Sequence, residues 1–374
     1  MFAGHASASG TARYRNRFPH LRDASHFRHC ESVPDVSDLW LSSIGIGTYL
    51  GEPDDRTDAS YAEAIIAAMQ SGINVLDTAI NYRHQRSERN IGAALKQTIE
   101  SGHLQRDEVL VCTKAGYLSF DGAMPADRRE YFMREYIAPG IIDPKQLAGG
   151  MHCMTPAYLE NQIERSRKNL GLETIDVFYV HNPESQLADV SHDIFVTRLK
   201  DAFAALEKQV KTGHIRYYGV ATWNGFRVAD GSRDHLNIFE LEELARQAGG
   251  AHHHLRFLQL PFNLAMPEAY GLANQRFGKE KFSLLSAASK LGIAVVGSAT
   301  LYQGNLMKGL PEIVGRILGL KTDAQNAIQF SRSAPGLAAA LIGMGRKPHV
   351  EENLKPALIP PTPQAEWKKL FTQR

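Results

Sequence analysis

The chain has 374 residues, with 42 Lys plus Arg against 40 Asp plus Glu, a net charge of +2 and 43% hydrophobic residues. That is enough apolar material for one large core, and balanced charge with no long basic run leaves no footprint for nucleic acid. No apolar stretch approaches the ~20 residues of a membrane helix, and three scattered cysteines, Cys30, Cys112 and Cys153, suit a reducing compartment, the cytoplasm, better than a disulfide framework.

Residues 1–36 are rich in Arg, His and Ser, lack the apolar core of a signal peptide, and read as a partly irregular N-terminal extension. Residues 37–374 read as a single domain. A strand is expected over 40–46, followed by Gly47-Thr48-Tyr49 and a polar loop. A helix is expected over 60–71, with Ser60 and Glu63 at capping-box spacing and Gly72 as its C-cap. The apolar run 73–76 reads as a strand closing on Asp77, and a helix follows over 87–101. The strand 109–113 ends at Lys114. Thr155-Pro156 opens a helix that runs to Gly171, and the strand 175–180 ends at His181. The alternation continues with helices over 195–212, 238–248, 282–291, 322–333 and 349–354. Between them lie strands over 215–221, 257–260, 293–296 and 338–342. Pro360-Pro361-Thr362-Pro363 is a stiff tail, and 365–371 can add an amphipathic turn.

Eight strands, each followed by a helix, imply a parallel sheet, and eight units fit a closed (β/α)8 TIM barrel. A doubly wound sheet would place G-x-G-x-x-G in its first strand–helix turn, whereas this chain has only Gly45-Ile46-Gly47 there. The connection from Lys114 to Thr155, the third strand's, is unusually long for a loop. It carries Tyr117, Phe120, Tyr131, Phe132 and Tyr136, and is expected to form part of a substrate pocket at the rim. His252-His253-His254 cannot all face one ion in a regular element, so no metal site is expected.

If the strands are successive staves, Asp77, Tyr82, Lys114 and His181 meet at the rim where barrel enzymes keep their sites. Free Tyr has a pKa of ~10, and an adjacent ammonium favours the tyrosinate and lowers that value. With Asp77 fixing Lys114, Tyr82 becomes a general acid suited to a carbonyl oxygen.

These residues resemble the aldo-keto reductases. The family's D-T-A, then Y, then S-E and G stands here as Asp77-Thr78-Ala79, Tyr82, Ser87-Glu88 and Gly92. Its T-K strand end is Thr113-Lys114, and its D-x-x-x-x-H strand is Asp176 to His181. The likeness covers roughly 40–355 and implies a (β/α)8 barrel that binds NADP(H) and reduces a small-molecule aldehyde or ketone, or oxidises an alcohol. It also implies that His181 hydrogen-bonds the substrate oxygen. Implied cofactor contacts are Gly47, Thr48, Tyr49, Thr222, Gln259, Ser298, Leu301, Gly345, Arg346 and Asn353. Gln259 would take the carboxamide and Arg346 the adenosine 2′-phosphate. Thr222 stands where the family usually has asparagine. Ser298 stands where many members place an aromatic to stack on the nicotinamide, which leaves that role to Trp223 or Tyr49. The family also contains ion-channel β-subunits, so a cofactor-binding regulatory subunit is the alternative.

Overall fold

The computed structural model describes residues 1–372. Its N-terminal segment folds into α1 (Ala8–Asn16), α2 (Pro19–Asp23) and two short antiparallel strands, β1 (Phe27–Arg28) and β2 (Leu41–Ser42). Short helices and a strand thus alternate with irregular chain in this extension. The anchor is Tyr14, fully buried, whose hydroxyl reaches the carbonyls of Met69 and Ile73 at 2.5 and 2.9 Å. Val33, Val36 and Leu39, between β1 and β2, pack in one cluster with Val75, Leu110, Val177 and Phe257 of the barrel. They plug the end opposite the rim.

Eight parallel strands close the barrel: β3 (Ile44–Gly47), β4 (Val75–Asp77), β5 (Leu110–Ala115), β6 (Ile175–His181), β7 (Ile215–Ala221), β8 (Leu255–Pro261), β11 (Ala294–Ser298) and β12 (Leu337–Gly343). Between β8 and β11 lie α9 (Glu268–Gly271), a hairpin of β9 (Gln275–Phe277) and β10 (Glu280–Phe282), and α10 (Leu284–Leu291). The ring order is β11-β12-β3-β4-β5-β6-β7-β8. Every residue of β5, β6 and β8 is buried, as a parallel sheet covered on both faces requires.

The helical layer is α3 (Asp55–Gln70), α4 (Arg86–Glu100), α5 (Arg128–Phe132), α6 (Pro156–Leu170), α7 (His192–Lys211), α8 (Ile238–Gly249), α11 (Glu312–Leu318), α12 (Asp323–Arg332), α13 (Lys347–Asn353) and α14 (Gln364–Thr372), together with α10. α3 starts earlier than the spacing of Ser60 and Glu63 suggests. The Asp54 side chain accepts from Thr57 N at 2.7 Å and satisfies one of the orphan donors of the first turn.

The long connection after β5 reaches the rim through one of its five aromatics. Of its aromatics only Tyr117 lines the rim cavity. Phe120 stacks on Phe132 at 5.0 Å, Tyr131 packs on both, and Tyr136 meets Tyr158 of α6 at 6.0 Å. Its aromatic faces find partners in one another and in α6, away from the mouth.

Candidate active site

β4, β5 and β6 bring three polar side chains to one rim. Asp77 ends β4, Lys114 is the penultimate residue of β5 and His181 ends β6. Lys114, fully buried, donates from Nζ to Asp77 Oδ2 and to the Thr78 carbonyl, each at 2.7 Å. Its third contact is the Tyr82 hydroxyl at 3.5 Å. Gln259 of β8 donates to Asp77 Oδ1 at 2.7 Å. The Tyr82 ring lies edge-on to His181 at 5.8 Å and to Tyr49 at 5.0 Å.

Burial is the largest single influence on the Lys114 ammonium and opposes it, but the charge and hydrogen bond of Asp77 together with Tyr82 and Cys112 outweigh it and hold the amine above its ordinary range. Burial pushes the Tyr82 phenol up, and the Lys114 charge recovers only part of this. The net direction is the reverse of the expected depression. For His181, burial and then the charge of Lys114 depress the imidazole well below its usual range, so it is neutral. Its backbone carbonyl accepts from His152 Nε2 at 2.8 Å, while His152 Nδ1 faces Gln186 Nε2 at 2.8 Å.

Directly after Tyr82 come three consecutive non-glycine residues with left-handed backbone, Arg83, His84 and Gln85, at φ 48°, 56° and 69°. Such residues cost roughly 1–2 kcal/mol each. The turn is fixed by Arg83, which donates to the Glu52 carbonyl (2.9 Å), Asn90 Oδ1 (2.8 Å) and Asp58 Oδ1 (2.5 Å). Gln85 adds a bond to the Phe120 carbonyl at 2.9 Å.

A cavity of about 1030 Å³ opens over Tyr82 and His181 and runs across the rim to α13. Gly47, Thr48, Tyr49, Thr222, Gln259, Ser298, Leu301, Gly345, Arg346 and Asn353 all line it. Lys114 lies beneath it. Thr222 Oγ1 and Thr300 Oγ1 are buried with no partner among the described residues, as is His181 Nδ1. Buried polar atoms are normally satisfied, so these are vacant hydrogen-bonding positions suited to a polar, elongated molecule such as a dinucleotide. At the far end Arg346 Nη2 meets His349 Nε2 at 2.9 Å. The sequence reading missed Asn182, Thr300, Gln303 and His349 among the lining residues. Asn182 carried a signal, an asparagine before proline directly after a strand-ending histidine, and it has φ 46°. The other three sit in loops or at a helix start without one.

A closed parallel barrel with an Asp–Lys–Tyr–His group at its rim defines a class, and the family model confirms it. The chain belongs to the aldo/keto reductase family, whose model matches residues 43–238. It is 27% identical over 212 residues to the NADH-specific methylglyoxal reductase of Escherichia coli strain K12, a match covering 55% of each chain. It is 22% identical over 333 residues to a probable voltage-gated potassium channel subunit beta of Arabidopsis thaliana, covering 85% of this chain and 88% of that one. An aldo/keto reductase of Klebsiella pneumoniae, solved with NADP and acetate, shares the fold with a TM-score of 0.60 at 19% identity, over 90% of this chain and 94% of its own.

Proposed function

We propose that the chain is an NADP(H)-dependent oxidoreductase that reduces an aldehyde or ketone to an alcohol, or runs the reverse. The observation that carries this is the Lys114 ammonium held between Asp77 and Tyr82 under one end of the cavity. A bound nicotinamide would supply the hydride. Tyr82 donates the proton to the carbonyl oxygen and takes it back in the reverse direction. Lys114 stabilises the tyrosinate left behind, and Asp77 with Gln259 keeps Lys114 in place. Neutral His181 offers an imidazole N–H to the same oxygen and orients the substrate.

Thr222, Gln259, Ser298 and Leu301 would hold the nicotinamide half, with Gly47, Thr48 and Tyr49 beside it. Gly345, Arg346 and Asn353 would hold the adenosine half. Arg346 supports NADP(H) over NAD(H), because a guanidinium pairs well with a 2′-phosphate. Three free, buried cysteines support a reducing compartment such as the cytoplasm. The likeness to a channel subunit favours a second reading, a cofactor-binding subunit with little turnover.

Absorbance at 340 nm, followed with NADPH and a panel of aldehydes and ketones, separates the two. We expect turnover, and a drop of ~10²–10⁴-fold in Tyr82→Phe with NADPH binding retained, the range general acid catalysis contributes. NADPH binding with no turnover on any carbonyl would favour the subunit instead. Near-native turnover in Tyr82→Phe would reject Tyr82 as the acid.

A further inference from the structure

One carboxylate joins the loops that follow β6 and β7. Glu184 stands three residues after His181, in the 3₁₀ turn Pro183–Ala188, and is 7% exposed. Its Oε1 accepts from the backbone N–H of Trp223 at 2.8 Å and of Asn224 at 3.1 Å. Its Oε2 is buried with no partner among the described residues. Burying a carboxylate is costly unless its partners repay the lost hydration. Here the partners are no cation but the backbone N–H groups of Trp223 and Asn224.

Trp223 occupies a boundary. The residue, 40% exposed, lines both the catalytic cavity and an adjoining lobe of about 480 Å³. Tyr117 and Asn182 line both spaces as well. These three residues border both spaces. Tyr117 is pinned at both ends, by a hydroxyl contact with Ser185 at 2.8 Å and by its carbonyl, which accepts from Tyr158 at 2.7 Å. Asn182 is tied through its own N–H to the Ala221 carbonyl at 2.6 Å. The indole of Trp223 makes no hydrogen bond among the described residues, so its place depends on its backbone, whose N–H Glu184 holds at 2.8 Å and whose carbonyl accepts the longer bond from Arg227 Nη1 at 3.3 Å.

We propose that Glu184 is a positioning residue that fixes Trp223 as the wall between the catalytic cavity and the side lobe, and thereby sets how long a carbonyl substrate the enzyme accepts. This rests on reading the site as a carbonyl reductase.

Glu184→Gln keeps a carbonyl acceptor for both N–H groups, whereas Glu184→Ala removes it. Two readouts decide. The first is kcat/KM for a long aldehyde, 3-phenylpropanal, relative to a short one, propanal. Glu184→Ala and Trp223→Ala should each raise this ratio about tenfold, mainly through KM, the scale that pocket size confers. Glu184→Gln should stay close to wild type. The second is acrylamide quenching of tryptophan fluorescence in a Trp40→Phe background. Trp367 is fully buried, so Trp223 dominates the quenching, which should rise in Glu184→Ala and not in Glu184→Gln. An unchanged ratio and unchanged quenching in folded Glu184→Ala would overturn the proposal. So would a Glu184→Gln variant as altered as Glu184→Ala. Should Glu184→Ala fail to fold, Trp223→Ala still tests the wall, and Glu184→Gln the acceptor. Absence of turnover in the wild type would sink the reductase reading, and the quenching experiment would still decide the anchor.

Discussion

Tyr82 sits under two opposed influences, burial that raises its pKa and the Lys114 charge that lowers it. In the proposed mechanism reduction needs the neutral phenol and alcohol oxidation needs the tyrosinate. Reduction should therefore hold level through neutral pH, while oxidation should climb with rising pH toward the elevated pKa. Lys114→Met removes the lowering influence, so the alkaline limb of the oxidation profile should move to still higher pH. Profiles of kcat/KM against pH check this, and a limb that stays put would remove Lys114 from its proposed role. Arg346 carries a second expectation. A charge-assisted hydrogen bond is worth ~1.5–3 kcal/mol, so Arg346→Ala should weaken NADPH about 10–100-fold and NADH little. Equal losses in equilibrium titrations with the two cofactors would place Arg346 away from the phosphate. The residues under discussion were legible for a physical reason. Each of Asp77, Lys114 and His181 interrupts or follows an apolar run at a strand's end. The net direction of Tyr82's shift was not legible, because sequence names the neighbouring charge but not the depth of burial.

At the scale of elements, two buried histidines tie segments together. His26, next to β1, bridges Ser43 Oγ and the Gly72 carbonyl at 3.0 and 3.1 Å, and burial depresses its pKa to about 3. His152, in the long connection, is depressed to about 4, again by burial. Both fold as neutral imidazoles, while the unfolded chain protonates near pH 6.5. The unfolded state thus binds more protons below that value. The stability these groups contribute is complete above pH 6.5 and is lost as pH falls toward 4 and then 3. At pH 5 the loss should be about 2 kcal/mol for each histidine. Urea unfolding at pH 7 and pH 5 measures it, and His26→Gln should flatten the dependence. No change between the two pH values would mean that these imidazoles are more solvated than the structure has them. Elements with long apolar runs were legible in the sequence. α1 was not, since a polar nine-residue segment with one deeply buried tyrosine has no periodicity to read. The aromatics at 120–136 announced burial without saying against what. The spacing of Ser60 and Glu63 placed the start of α3 too late, because Asp54 caps the helix more than a turn earlier.

At the scale of the whole molecule, the barrel and its rim followed from strand–helix alternation, whereas the plug at the opposite end did not. Its contacts join Val33 and Val36 to strands far along the chain, and short apolar residues in a loop carry no pairing information. Family likeness named residues that line one cavity, while the lobe beyond Trp223 was not legible, because it is built from three separate loops. The bond from Gln259 to Asp77 joins residues 182 apart in sequence, from strands that stand four places apart around the eight-stranded ring. It is a strut across the barrel's mouth. Neighbouring strand–helix units can assemble from local contacts, but this strut has no partner until the ring closes, and distant contacts form slowly. During refolding from urea, helical circular dichroism should therefore recover before catalysis, with activity returning only as the last staves join. If activity and helical signal recover with one rate constant, closure and local assembly are a single event, and the site is not the last thing the chain completes.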